Sequence, residues 1–255
     1  MSREPVSDEV SIERVGERVA LVEFDRPPHN FFDAKLIRGI ADAYERLEGE
    51  GSGAIVLCSA GRHFCAGANF ADENPASSGA LYEQAVRLFS GSVPVVAAVQ
   101  GAAIGGGLGV ALSADLRVAT PESRFAANFA RLGIHHGFGL TVTLPLVVGH
   151  QRSLELLYTG ARLRGEEAHA IGLCDRVVPA DELRPAAIVL AGEIAAAAPL
   201  AIRSIRRTMR GELPGRIRDA TAHEAAEQAK LFATADFAEG VAASGERREP
   251  RFTGR

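Results

Sequence analysis

Two glycine-containing segments, each directly after a run of apolar residues, have the composition to do chemistry with backbone groups. The first spans residues 59–70 and the second spans residues 100–109. Small residues let the backbone approach a ligand closely, and N–H groups at the start of a helix stabilise negative charge. Two such donors aimed at one carbonyl oxygen would stabilise an enolate. The alternative interpretation is that these glycines only permit tight packing.

Other familiar catalytic signatures do not occur in the sequence. It contains none of the patterns GxGxxG, GxxxxGK[ST] and GxSxG, which argues against the usual nucleotide-binding and hydrolase motifs. Residues 223–227 approach a zinc-protease motif, but a glutamate replaces its second histidine. We therefore interpret this segment, with His223 and Glu224, as part of a surface helix and predict no metal site.

The residue pattern around the two segments alternates between strands and helices. It predicts a hairpin over residues 10–24, a helix that begins after Asp33, a helix over 79–90, and strands over 54–58, 95–99 and 115–119. This alternation is typical of α/β architecture with parallel strands, whose loops at the strand ends carry chemistry.

Beyond Gly139 the pattern is mostly helical. It predicts helices over 140–148, 151–158 and 165–171, a short strand over 174–178, and a helical run over 181–244 that Pro185, Pro199 and Pro214 break into separate helices.

Composition limits the class of protein. The 255 residues are 47% hydrophobic and 24% charged, which is typical of a soluble globular chain, and 28 basic against 32 acidic residues give a net charge of −4. This balance argues against nucleic acid as a partner. Residues 88–114 carry no charge, but Pro94 and the following glycines predict a buried strand, loop and helix in place of a membrane span.

Cysteine usage and the N-terminus bear on the compartment. Cys58, Cys65 and Cys174 are odd in number and widely spaced, so we predict neither a disulfide framework nor a zinc site. Residues 1–9 are polar and lack the apolar core of a signal peptide. We therefore expect a cytoplasmic protein.

The two glycine segments also carry a family resemblance. Residues 64–70 (FCAGANF), 97–101 (AAVQG), the triplet 105–107 (GGG) and Asp115 resemble the enoyl-CoA hydratase/isomerase (crotonase) family. The resemblance continues through Arg26-Pro27, Asn30, residues 131–134, Gly137, Gly139, residues 144–145, 148–149, 159–160, 166–168, 172–173 and 177–178, and the C-terminal Asp236-Phe237, Glu239-Gly240, Arg247 and residues 250–252.

This resemblance implies a ββα spiral core over residues 1–195 and a C-terminal helical trimerisation subdomain over residues 196–255. It implies a homotrimer or a dimer of trimers that binds acyl-CoA thioesters, with coenzyme A as part of the substrate and with no separate cofactor. The backbone N–H groups of Ala68 and Gly106 would hold the thioester oxygen as negative charge develops.

Several further residues are predicted to touch the substrate. The resemblance implies that the Ala66 loop contacts the adenine of coenzyme A through backbone, and that Phe252 reaches a neighbouring subunit's coenzyme A. Close backbone approach to the substrate is predicted at Gly67, Gly105 and Gly109, and a phosphate contact at Arg26. His29 and His63 are predicted to contact the ligand, the alternative being that they are only polar loop residues. A hydrophobic acyl pocket is predicted at Phe129, Phe138 and Leu140.

One departure from the family pattern concerns the chemistry. The family's hydratases place one glutamate in the helix after the glycine triplet and a second before the RLG-like segment, whereas this sequence has Gly109 and Phe129 there. Neither residue transfers a proton, and each lost acid or base costs roughly 10²- to 10⁴-fold in rate. This argues against hydration with two glutamates.

The nearest replacements are His135 and His136, because an imidazole is an acid or base near neutral pH. The alternative is that one of them bonds to backbone and the other faces solvent. Cys65 has no motif base beside it, so we interpret it as a small core residue. Asn69 is interpreted as a residue that shapes its loop, and Asp72 and Glu73 as the beginning of a solvated polar loop.

Four functions remain open. An oxyanion hole with an apolar wall suits decarboxylation of a malonyl-type thioester, and a single histidine suffices for double-bond migration. An unusual hydratase, in which an imidazole replaces the missing carboxylates, is the third, and a non-catalytic thioester-binding protein is the fourth. The resemblance itself favours the broad hydratase/isomerase class. A serine protease on a related fold is excluded, because the helix start at residues 105–109 has neither Ser nor His.

Overall fold

The computed structural model describes residues 3–69 and 78–255, so Asp72 and Glu73 lie outside the described residues. The strands are β1 Arg3–Ser7, β2 Val10–Arg14, β3 Val19–Phe24, β4 Ala54–Ser59, β5 Val95–Val99, β6 Ala102–Ile104, β7 Leu116–Ala119, β8 Arg124–Ala126, β9 Arg162–Arg164 and β10 Arg176–Val177. The helices are α1 Ala34–Gly49, α2 Ser78–Ser90, α3 Gly106–Ser113, α4 Leu140–Val148, α5 His150–Thr159, α6 Gly165–Ala170, α7 Leu183–Ala195, α8 Pro199–Arg210, α9 Leu213–Leu231 and α10 Ala235–Glu246.

Most of these strands form one seven-stranded sheet in the order β1-β2-β3-β4-β5-β7-β10. The first three strands pair antiparallel, and β3, β4, β5, β7 and β10 pair parallel. The predicted hairpin is therefore confirmed as β2 and β3. The edge strand β1 falls in the polar N-terminus, where sequence reasoning predicted no strand.

A second sheet of three short strands was not predicted. Strand β6 pairs parallel with β8, and β8 pairs antiparallel with β9. Each of these strands has three residues, which is too short to show an alternating pattern in the sequence.

The two faces of the large sheet bury different helices. Along β4, Ile55 and Leu57 belong to the main core, whereas Val56 and Cys58 belong to a second core with residues of α7. This follows from the strand geometry, because successive side chains point to opposite faces. A strand covered on both faces reads as a continuous apolar run, as residues 54–58 do.

The helices begin close to the predicted residues. Asp33 is the N-cap of α1, and its side chain accepts a hydrogen bond of 2.8 Å from the Leu36 N–H. Pro199 and Pro214 lie in the first turns of α8 and α9, so the predicted breaks there are confirmed. Pro185 breaks nothing: it lies in the first turn of α7, where the missing N–H has no partner to lose.

The proposed boundary near residue 195 falls between α7 and α8. The helices beyond it are joined to the core, since α9 packs on α2 and on α4. A role of residues 196–255 in trimerisation remains a prediction.

Within residues 3–69 and 78–255, no single helix is both long enough and apolar enough to cross a bilayer. Only the two segments Ala180–Ala195 and Pro199–Leu231, taken together, have this length and composition, and they are bent by 103° relative to each other.

A largely buried charge cluster attaches α8 to the sheet. The carboxylate of Asp115 accepts from the Val95 N–H at 2.8 Å, from Arg206 Nε at 3.1 Å and from Arg210. Burial by itself raises the pKa of Asp115, but the charges of Arg210 and Arg206 lower it below its usual value.

Removing that carboxylate leaves two guanidinium groups without their partner. We expect Asp115→Asn to lower the free energy of unfolding by about 3 kcal/mol in urea denaturation at pH 7, because an uncompensated buried charge is costly. The lowered folded pKa means that the Asp115 contribution is present above pH ~4 and is lost as pH falls through the folded value. The control is Asp219→Asn, exposed on α9, with an expected effect below about 0.5 kcal/mol. Equal effects of the two substitutions would contradict this.

Candidate active site

A cavity of about 500 Å³ lies where the two glycine segments meet. Nine of the residues predicted to bind or react with substrate line it: His29, His63, Ala66, Gly67, Ala68, Gly105, Gly106, Phe129 and Phe138. Six predicted site residues do not: Arg26, Gly109, His135, His136, Leu140 and Phe252.

Backbone hydrogen bonds join the two glycine segments. The Cys65 N–H donates to the Ala102 carbonyl at 2.8 Å, and the Ile104 N–H donates to the Cys65 carbonyl at 3.1 Å. A Cβ atom at position 107 would lie 2.2 Å from the Cys65 carbonyl oxygen. Only glycine therefore allows the first turn of α3 to approach the segment that contains Ala68.

This arrangement leaves two N–H groups at the cavity without an acceptor in residues 3–69 and 78–255. Gly106 is the first residue of α3, so its N–H has no partner within the helix. Among the hydrogen bonds of the described residues, neither the Gly106 N–H nor the Ala68 N–H is a donor. The helix dipole adds positive potential at Gly106. The two groups can receive a carbonyl oxygen that gains negative charge.

Aromatic rings form the wall beside these donors. Phe32 and Phe138 pack edge to face with ring centroids 5.2 Å apart, and a Cβ atom at position 106 would lie 2.4 Å from Phe32 Cζ. Phe138 adopts a left-handed backbone conformation with φ 62° and is fully buried. Bulky residues rarely adopt this conformation, so tertiary packing must compensate its cost.

Phe138 also explains why Gly109 does not line the cavity. A Cβ atom at position 109 would lie 2.7 Å from both Cβ and Cδ1 of Phe138. Substrate contact at Gly109 was predicted because it belongs to the second glycine segment, but the Phe138 ring covers this position. The space that a side chain at 109 would need is filled by the aromatic ring.

Helix α9 holds the loop that carries Phe138. The fully buried carboxylate of Glu224 accepts from the Gly139 N–H at 2.8 Å, and from the N–H and hydroxyl of Thr141 at 3.0 and 2.6 Å. One turn further, Gln228 Nε2 donates to the His135 carbonyl at 3.0 Å. The interpretation of residues 223–227 as surface is therefore wrong for Glu224, which caps the first turn of α4.

His135 and His136 stack on each other behind the wall, with ring centroids 4.1 Å apart. His135 Nδ1 lies 2.8 Å from the His136 carbonyl, and His136 Nε2 lies 2.8 Å from the Thr141 hydroxyl. Burial, with smaller effects of His135 and His223, lowers the pKa of His136 to about 4, so it is neutral at pH 7. Both rings thus bond to the protein, and neither lines the cavity.

Arg26 is engaged elsewhere. Its guanidinium donates to both oxygens of Glu9 at 2.7 Å, to Asp33 at 3.0 Å and to the Phe31 carbonyl at 3.2 Å. The predicted phosphate contact at Arg26 therefore competes with two carboxylates. Phe252 lies in the C-terminal segment with 43% of its surface exposed.

The mouth of the cavity contains two histidines. His29 and His63 stack with ring centroids 5.7 Å apart, and Asn30 holds both loops together because its amide donates to the His63 carbonyl at 2.7 Å. Burial, with the charge of Arg124 next, lowers the pKa of His63. Cys65 is buried, and burial raises its pKa to about 12, in agreement with a core residue.

Sequence reasoning missed several lining residues. Tyr82 donates from its hydroxyl to Gln228 Oε1 at 2.9 Å, and both side chains line the cavity. Tyr82 occupies an apolar position of α2 and Gln228 lies in a polar stretch of α9, so neither gave a signal. Two asparagines, Asn69 and Asn128, also line the cavity. From the sequence, Asn69 was interpreted only as a residue that shapes its loop.

The described residues that line the cavity include no Asp and no Glu.

Comparison with known proteins gives a consistent result. The sequence model of the enoyl-CoA hydratase/isomerase family matches residues 14–255. The chain is 33% identical over 251 residues to a probable enoyl-CoA hydratase of Rhodobacter capsulatus, covering 94% of this chain and 96% of that protein. It is 32% identical over 246 residues to the crotonyl-CoA hydratase of Syntrophomonas wolfei, covering 92% and 95%.

Solved structures agree in fold. The crystal structure of an enoyl-CoA hydratase/isomerase from Pseudoalteromonas atlantica superposes with a TM-score of 0.86 at 29% identity, covering 96% of this chain and 100% of that chain. An enoyl-CoA hydratase from Mycobacterium avium gives 0.82 at 28% identity, covering 96% and 98%. The architecture is thus the crotonase fold, with a helical C-terminal part. The chain belongs to the enoyl-CoA hydratase/isomerase family.

The contact between Gly109 and Phe138 predicts that a side chain at 109 destabilises the protein. We expect Gly109→Ala to lower the free energy of unfolding by about 1–3 kcal/mol in urea denaturation, because overpacking displaces the ring. Gly192→Ala is the matched control, since nothing lies within 4 Å of the added methyl group there, and it should be neutral or stabilising. Combining Gly109→Ala with Phe138→Ala should cost less than the sum of the two single substitutions. Strict additivity would contradict the contact.

Proposed function

We propose that the chain binds an acyl-CoA thioester and catalyses a reaction that passes through the thioester enolate. The thioester oxygen lies between the N–H groups of Ala68 and Gly106. The observation that carries this proposal is that both groups adjoin the cavity and neither donates to an acceptor in the described residues. Each such donor contributes roughly 10²- to 10³-fold to rate when it meets a developing oxyanion.

The acyl-CoA part of the proposal is supported by the relatives. Family membership over residues 14–255 and the names of the similar proteins, among them a crotonyl-CoA hydratase, indicate a coenzyme A thioester as the substrate class. Coenzyme A is part of the substrate, and the proposal needs no separate cofactor. The reaction depends on what surrounds the two donors.

Decarboxylation of a malonyl-type thioester fits these surroundings best. The bond between Cα and the carboxylate carbon breaks, its electron pair moves into the enolate, and carbon dioxide leaves. The enolate carbon then takes a proton from water, which gives the shortened acyl thioester. No protein base is required, and the described cavity lining offers no carboxylate.

The apolar wall favours the same step. Phe32, Phe129 and Phe138 give the leaving carboxylate few polar partners, whereas the enolate oxygen meets two N–H donors. A site that stabilises the charge of the enolate better than the charge of the substrate carboxylate lowers the barrier.

Double-bond migration with His135 or His136 as the base is the second candidate. It receives less support, because both imidazoles bond to the protein behind the cavity wall. Hydration has the weakest support, since Gly109 and Phe129 stand at the two glutamate positions.

The reaction can be tested with three substrates. We expect turnover of methylmalonyl-CoA, monitored as release of carbon dioxide, to exceed hydration of crotonyl-CoA, monitored by loss of enoyl absorbance, and isomerisation of a 3-enoyl-CoA. His135→Ala and His136→Ala should retain most of that activity. Faster hydration or isomerisation that is lost in either variant would contradict decarboxylation and support a histidine base. Binding of acetyl-CoA with no turnover of any substrate would indicate a non-catalytic protein.

The apolar wall gives a separate test. We expect Phe129→Glu to lower kcat/KM for decarboxylation at least about tenfold, because a second negative charge in the cavity repels the anionic substrate and its transition state by about 1.4 kcal/mol or more relative to the free species. Phe129→Leu is the matched control, since it keeps an apolar wall and should retain most of the activity. An equal loss of decarboxylation activity in the two variants would contradict the charge argument and show that only the shape of the Phe129 ring matters.

A further inference from the structure

The side chain of Asn128 lies beside the backbone donor at the start of α3. Strands β6 and β8 pair parallel, so the chain leaves both of them at the same edge of the second sheet. After β6 it continues into Gly105 and Gly106, and after β8 it continues into Asn128 and Phe129. The Gly105 N–H donates to the Ala126 carbonyl at 2.8 Å, which joins the two segments at that edge.

Close packing fixes the position of Asn128. A Cβ atom at position 105 would lie 3.4 Å from Asn128 Oδ1 and 3.7 Å from Phe129 Cζ, so the amide and the ring both flank the residue before Gly106. A Cβ atom at position 160 would lie 3.3 Å from Asn128 Cα, and Gly160 has a φ of 61°. The Asn128 backbone thus packs against a glycine, while its side chain lines the cavity.

The Asn128 amide is not used within the protein. In residues 3–69 and 78–255 its side chain forms no hydrogen bond, although it lines the same cavity as the two proposed donors. The Gln228 amide, which also lines the cavity, accepts from the Tyr82 hydroxyl at 2.9 Å and donates to the His135 carbonyl at 3.0 Å. Asn128 therefore presents an acceptor oxygen and N–H donors to whatever occupies the cavity.

The proposed reaction requires a proton at one carbon atom. After carbon dioxide has left, the enolate carbon takes a proton from water, and the described lining has no Asp or Glu to orient that water. A water molecule in an apolar site is held by the few polar groups within its reach. The ring of Phe129 offers none, whereas the neighbouring Asn128 does. Because an amide is neutral, it does not repel an anionic substrate as a glutamate would.

Resting on the proposed function, we infer that Asn128 is a further catalytic residue, which holds the water that protonates the enolate. Asn128 Oδ1 accepts one O–H of this water, and the other O–H points at the enolate carbon. That second O–H bond breaks, its hydrogen forms the new C–H bond with the electron pair of the enolate, and the thioester carbonyl forms again. The hydroxide that remains takes a proton from bulk solvent. The water approaches one face of the enolate, so the new hydrogen is added on that face.

The experiment follows the stereochemistry of the product. Methylmalonyl-CoA is decarboxylated in deuterium oxide, and the configuration at C2 is determined for the propionyl-CoA that carries one deuterium by mass. We expect the wild type to give at least about a tenfold excess of one configuration, which corresponds to about 1.4 kcal/mol between the two faces. Asn128→Leu has a similar volume and no polar atom, and it should reduce the excess to less than about twofold. Its release of carbon dioxide should change less than about threefold, because the C–C bond breaks before the water reacts.

A conservative variant and a remote variant complete the design. Asn128→Asp keeps an acceptor oxygen at the same place, so its product should keep the excess of the wild type. Its kcat/KM should fall at least about fivefold, because the added charge repels the anionic substrate. Gln151→Leu removes an exposed amide on α5 and should change neither the rate nor the configuration. Thermal unfolding of each variant shows whether the fold is intact.

The proposed function and this inference fail in different ways. A wild-type chain that releases no carbon dioxide from methylmalonyl-CoA refutes the proposed reaction. Wild-type decarboxylation that gives equal amounts of the two configurations refutes only the inference, as does an Asn128→Leu product with the wild-type excess. An Asn128→Asp product as mixed as that of Asn128→Leu also overturns it, because the acceptor oxygen is then not what matters. Parallel loss of propionyl-CoA affinity and of thermal stability in Asn128→Leu indicates a structural role and overturns it as well.

Discussion

The close approach of the α3 N-terminus to the Cys65 carbonyl is the constraint on which the rest of the site depends. A Cβ atom at position 107 would overlap that carbonyl, and one at position 106 would overlap the Phe32 ring. Glycine at both positions brings the Gly106 N–H to the same cavity as the Ala68 N–H. The helix dipole adds positive potential at the Gly106 N–H, and the rings of Phe32 and Phe138 line the cavity beside it.

The same close packing limits the chemistry. Gly109 belongs to the same helix, and Phe138 occupies the space above it. A glutamate cannot be restored there without moving a ring that is fully buried and that has a left-handed backbone conformation. The absence of an acid at position 109 is therefore part of the packing of this chain. Glu224 and Gln228 of α9 stabilise that packing from behind, through Gly139, Thr141 and the His135 carbonyl.

Much of the fold could be predicted from the sequence, because its long elements bury continuous or periodic apolar faces. Strand β5 and helix α4 have the bounds that the pattern predicts. The three short strands could not be predicted, since three residues carry no period. At the site, the two segments that line the cavity could be located because glycine and the family resemblance mark them. Glu224 could not, because a buried carboxylate in a polar helix looks the same in sequence as an exposed one.

The cavity draws its wall from residues far apart in the chain, from His29 near one end to Gly245 near the other. Six of the seven strands of the large sheet end by Ala119, more than ninety residues before α9 begins. Most of this sheet can therefore pair before the helix that closes the wall has left the ribosome. Contacts of such long sequence separation form late, because closing long loops costs entropy. A nascent chain of this protein would thus acquire its sheet well before it acquires a pocket.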